Sequence, residues 1–286
     1  MTTRTLLLPL ALLACAASPS LAGEILYADG RTAIASEPRQ DSEGRWSAEF
    51  EGRRVRLDPG LVVAVIDDAG TVADLIPPLG DEPLTPEAVA VLATLREPKN
   101  DTWQAGFAPI ADHPTRAMLD DLVELSGHKD KHLRLRAVQA MALLATRESV
   151  TTAARTVLAE AHKGTRADAA SVLFSVREIF TRSDAVQTVP EAMSNDDKTT
   201  RVIFALLGYA EGDEAVLEVL RKDGVGSRDH HIREEAALAL AERGDATGLK
   251  VLTGMLARKQ IPGLEELSDE TRTRMLIEEH VHVCEV

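Results

Sequence analysis

The chain is 286 residues long and 44% hydrophobic, with 32 Lys and Arg against 46 Asp and Glu for a formal charge of -14. That apolar fraction excludes a wholly disordered chain, and the length suits one large domain or two ordinary ones. The negative charge repels phosphate backbones, and 2 Trp, 2 Tyr and 5 Phe offer few stacking surfaces, which together exclude general nucleic-acid binding.

Residues 1–22 carry one positive charge at Arg4, an apolar run over residues 6–17 and small residues up to Ala22. This is the n-region, h-region and cleavage pattern of a signal peptide, and the run is too short to span about 30 Å of hydrocarbon. Cleavage after Ala22 predicts an exported protein, periplasmic or extracellular, with no transmembrane helix in the mature chain. Leu12-Leu13-Ala14-Cys15 also has the form of a lipobox, so a chain lipid-anchored at Cys15 is the competing expectation. The other cysteine is Cys284, so a chain cleaved after Ala22 holds one thiol and no internal disulfide.

Residues 23–76 read as a small antiparallel β barrel or sheet of five or six strands. Asp29-Gly30 suits a two-residue hairpin turn. Trp46, Ala48 and Phe50 alternate with polar residues and so share one face of a strand. Arg53, Arg54 and Arg56 form a basic cluster that reads as a solvated edge strand rather than an anion site. Residues 77–84 are proline-rich and acidic, and predict a linker. At Thr85-Pro86-Glu87 an N-cap, a first-turn proline and a first-turn acid announce a helix. From residue 85 to residue 286 the pattern predicts ten or eleven helices with short connections.

The helical half repeats itself. Arg136, Arg166, Arg201 and Arg233 open apolar runs 30, 35 and 32 residues apart, each followed four residues later by alanine. Second helices are expected near residues 150–162, 184–193, 214–222 and 247–258. Gly212-Asp213 and Gly244-Asp245 mark turns between the paired helices. The unit opening at Arg233, with its Ala/Leu run and Gly-Asp turn, resembles a HEAT-like repeat of the short bacterial type, also called phycobilisome-lyase-like. The resemblance covers residues 130–258, with degenerate units near residues 86–95 and 114–126.

It implies a mainly α fold, a right-handed α-solenoid of helix pairs, preceded by the small β module, here taken as SH3-like. It also implies that the arginines tie each unit to its neighbour, and that the second helices present a binding surface. The candidate contacts on them are Arg155, Glu160, Glu218, Arg221, Lys250 and Arg258, with another protein of the bacterial envelope as partner.

Catalytic motifs are not found: no Gly-x-Ser-x-Gly elbow, no HExxH and no phosphate-binding glycine loop. The reading is a non-enzymatic interaction scaffold without a cofactor. The alternative is a metal- or cofactor-dependent accessory protein using its tail, because in an extended segment His280, His282 and Cys284 share one face as soft or borderline ligands.

Overall fold

A computed structural model of the chain describes residues 22–41, 45–50, 53–57, 61–66, 72–97, 108–209, 212–258, 275–277 and 280–284. The expected signal segment lies outside them apart from Ala22, and Cys15 lies outside them altogether. The fold is mainly helical, with a curled antiparallel sheet at its N-terminal end.

The sheet has six strands, β1 (Ala22–Tyr27), β2 (Thr32–Gln40), β3 (Trp46–Phe50), β4 (Arg53–Arg56), β5 (Val62–Ile66) and β6 (Val72–Asp74), in the order β4-β3-β2-β1-β5-β6. All neighbours are antiparallel. Among the described residues β4 and β6 do not pair, so the sheet is a half-barrel rather than the closed barrel the strand count allows. The β1–β2 connection spans four residues rather than two, with Gly30 N–H donating to Tyr27 O at 2.9 Å and Tyr27 N–H to Arg31 O at 2.8 Å. β4 is an exposed edge strand, and its Arg54 is spent on Ser47 and Glu49 of β3. A charged edge of this kind resists further strand addition.

Two apolar layers meet on β5, whose first four residues are all buried. Val62 and Val65 join Ile25, Ala35, Ala48 and Leu57, with Trp46 and Phe50 packed against them, in the sheet's own core. Val63 joins Ala28, Ile76 and the helices in a second core, so the sheet rests on the helical region. A bulge between Leu26 and Tyr27 shifts the β1–β5 register and breaks the alternation. The expected linker is held down as well: Gly80 N–H donates to Pro114 O and Arg116 N–H to Gly80 O, both at 2.8 Å.

Helices α1 (Pro86–Arg96), α2 (Arg116–Ser126), α3 (Lys131–Leu143), α4 (Arg147–Ala159), α5 (Lys163–Leu173), α6 (Arg177–Thr181), α7 (Val189–Met193), α8 (Lys198–Gly208), α9 (Glu214–Val219), α10 (His230–Glu242) and α11 (Leu249–Ala257) follow. The start of α1 is as expected, Thr85 Oγ1 accepting from Ala88 N–H at 3.2 Å. Helices α1, α3, α5, α8 and α10 pack one on the next, and beside them run α2, α4, residues 184–193, α9 and α11. The Gly-Asp turns behave as read: Gly212 and Gly244 both have φ of 73°, which an L side chain disfavours, and Asp213 and Asp245 cap the following turns. In the α3–α4 turn Ala145 holds this place at φ 51°, at a cost of about 1 kcal/mol.

The arginines form a ladder. Arg134, Arg166, Arg201 and Arg233 each lie four residues after an N-cap, at Asp130, His162, Asp197 and Asp229. Each donates to the carbonyl six residues before it, His128, Glu160, Asn195 or Ser227, at 2.8–3.2 Å. The side chain at that same earlier position accepts the N-cap N–H in all four units, at 2.8–3.2 Å. Three of the arginines also reach an acid further along the chain: Arg134 to Glu160 at the end of α4, at 2.6 and 2.9 Å, Arg166 to Asp196 just before α8, at 2.6 Å, and Arg201 to Asp223 in the helical turn that continues α9, at 2.6 Å. The anchor in α3 is therefore Arg134, not Arg136, and the spacing becomes 32, 35 and 32 residues. Arg136 points the other way, donating to Glu97 O at 2.8 Å beyond the end of α1. The longer interval accommodates α6, inserted between α5 and the capped turn at Ser183.

Candidate functional site

The six residues assigned to a partner surface divide into two groups. Glu160, Arg221 and Arg258 are held in ion pairs within the helical region. The Glu160 carboxylate is 7% exposed and grips Arg134. Arg221 donates to Asp245 at 2.5 Å and also pairs with Glu214, and Arg258 meets Glu234 at 2.9 Å. Hydrogen bonds from the Thr247 side chain and N–H, and from Arg221, hold the Asp245 carboxyl down at about 2, so this link survives mild acid. Arg155, Glu218 and Lys250 remain exposed.

The C-terminal tail departs from the extended form. Residues 280–284 are helical, so His280 and Cys284 share a face while His282 is turned away from both. His280 Nε2 lies 3.1 Å from Met255 O, Val283 is buried against α11, and Cys284 is exposed. Among the described residues no group of three or more His, Cys, Asp or Glu side chains is placed to hold a metal ion. No helix among them is long and apolar enough to cross a membrane.

The helical His282 instead lines a groove that joins both ends of the chain. Its walls are the β1–β2 turn at Gly30, α6 and His282, its floor is α8 and α10, and its volume is about 430 Å³. Leu206, Leu207, Leu238 and Ala239 give an apolar floor, and these four side chains also serve the packing beneath, which makes the floor rigid. The wall at Gly30 is fixed by close approach: Glu178 N–H donates to Ala28 O at 3.0 Å, and a methyl group on Gly30 would stand 2.1 Å from Arg177 Nε.

The rim is acidic, with Glu178, Glu235 and Glu242 against the single cation Arg177. Arg177 lies 3.7 Å from Glu235, and Glu178 lies 3.8 Å from Arg182 outside the groove. Tyr209 OH donates to Glu242 Oε2 at 2.6 Å, and burial together with this bond pushes the phenol well above its ordinary value, so it stays protonated as a donor. Nothing in the one-dimensional pattern signals this site, because its parts are brought together only by the docking of the sheet and the tail on α6, α8 and α10. The arrangement sets the side chains of Leu206, Leu207, Leu238 and Ala239 at the floor and three carboxylates at the rim. No family model matches the chain, and no curated protein matches its sequence.

Proposed function

We propose that the helical region is a HEAT-like α-solenoid, and that the protein is an exported, non-enzymatic scaffold that binds another protein of the bacterial envelope. The observation that carries the reading is the ladder. The same seven-residue arrangement of N-cap, preceding acceptor and arginine recurs at the starts of α3, α5, α8 and α10, and three of its arginines tie their helix to an acid 22 to 30 residues further on. Units linked only to their neighbours produce a long surface whose shape is held while its exposed side chains are free to serve recognition. Export rests on the signal pattern of residues 1–22.

The groove supplies the contact. Its floor and rim have the plan of an interface centre, apolar within and polar at the edge. Immobilised protein is expected to retain one binding protein from an envelope extract in near-stoichiometric amount. A Glu178→Gln/Glu242→Gln variant should lose most of that retention, while an Asp120→Asn/Asp168→Asn variant, equal in charge change but away from the groove, should keep it. Equal retention by both variants removes the groove from the reading, and no stoichiometric partner at all removes the scaffold.

A further inference from the structure

Resting on the scaffold reading, we propose that the groove accepts a cationic, apolar segment of the partner protein, one in which Lys or Arg alternates with Leu, Ile or Val. Charge complementarity selects this occupant. Three carboxylates stand around the rim; Glu235 lies 3.7 Å from Arg177 and Glu178 lies 3.8 Å from Arg182, so the third, Glu242, is the one with no cation beside it among the described residues. Glu242 uses only Oε2 on Tyr209, which leaves Oε1 without a partner among the described residues and open to an ammonium or guanidinium. An acidic segment entering here would place its carboxylates beside Glu178, Glu235 and Glu242, which costs binding rather than adding to it.

The floor sets the second requirement. Leu206, Leu207, Leu238 and Ala239 offer no side-chain polar atom, so a wholly hydrophilic cation would lose hydration there without compensation. A segment with apolar side chains toward the floor and basic ones toward the rim satisfies both surfaces. The net charge of -14 adds a long-range attraction for such a partner, and the groove turns that attraction into a registered contact.

Fluorescence anisotropy of the full chain with two labelled peptides, Lys-Leu-Lys-Leu-Lys-Leu and Glu-Leu-Glu-Leu-Glu-Leu, tests the proposal. The lysine peptide is expected to bind, with affinity falling as ionic strength rises from about 0.05 to 0.3 M. Glu235→Gln/Glu242→Gln should weaken it about 10-fold, and Asp120→Asn/Asp168→Asn by less than about 2-fold, with unchanged melting temperatures in both. Binding of the glutamate peptide with comparable affinity, equal loss in both variants, or no binding of the lysine peptide overturns the cationic assignment. If a partner is still retained through Glu178 and Glu242 in the capture experiment, the scaffold reading survives that outcome; if none is retained, both fall.

Discussion

Replacing Arg134 by alanine is expected to remove about 3 kcal/mol of folding free energy, because it strands a buried carboxylate. Glu160 accepts two bonds from that guanidinium, at 2.6 and 2.9 Å, and its side chain is 7% exposed. Without Arg134, Glu160 retains only the His162 N–H at 2.8 Å. The damage spreads to the next unit, since the carbonyl of the same Glu160 receives Arg166 at 2.9 Å. Arg134 also closes the loop before α3 through His128 O and Lys129 O, both at 3.1 Å. Urea unfolding at neutral pH measures the loss, and a change below about 1 kcal/mol would mean the ladder is incidental. The double replacement Arg134→Met/Glu160→Leu should cost much less than the single one, because it leaves no unpaired charge.

The same pair sets a pH dependence with a definite sign. The Arg134 guanidinium, aided by the His162 N–H and opposed by desolvation, holds the Glu160 carboxyl below its usual range. A carboxyl depressed in the folded state stabilises the protein above its unfolded value of about 4.3, and that contribution is lost as pH falls from there through the folded value. Arg134→Ala should therefore flatten the acid limb of the stability profile as well as lower its plateau.

Replacing Phe204 by alanine is expected to cost about 3–5 kcal/mol, through lost burial and the cavity left behind. Phe204 and Phe180 are both 0% exposed, and their rings meet edge to face with centroids 5.9 Å apart at 79°. Phe204 sits in α8, which packs on α5, α6, α7, α9 and α10, so its ring fills the space where the inserted α6 meets the regular stack. Phe204→Leu should cost less, about 1.5 kcal/mol, as a smaller volume change. Ile34→Ala, at a site 82% exposed, should stay within about 0.5 kcal/mol. Thermal or urea unfolding of the three variants checks the order, and an equal loss at Ile34 would contradict the placement of the core.

Much of this fold was legible where the signal is local. The cap at Thr85, the Gly-Asp turns and the face shared by Trp46, Ala48 and Phe50 depend on a few consecutive residues, and each is found as read. Arg134 was missed because the spacing to alanine favoured Arg136, two residues on, which a helix directs to a different side. Counting from the N-cap instead would have found it, since Asp130, His162, Asp197 and Asp229 all precede an arginine by four. Periodicity also cannot separate an acid that faces solvent from one that faces another helix, so it gives no sign that Glu160 is held by Arg134. The groove was beyond sequence reasoning for a different reason: Gly30, Leu207, Leu238 and His282 have no local relation, and only tertiary docking collects them.

The HEAT-like resemblance implies a binding surface on the second helices, whereas the groove lies between the sheet, α6 and the tail. Photo-crosslinking in the producing cell distinguishes these directly, with a photoreactive residue at Thr181 or His282 on the groove walls, or at Arg155 or Lys250 on the second helices. A discrete crosslinked protein from both Thr181 and His282, absent at Arg155 and Lys250, is the result expected of a scaffold that binds through this groove. Crosslinks confined to Arg155 and Lys250, or none at any of the four, would contradict it.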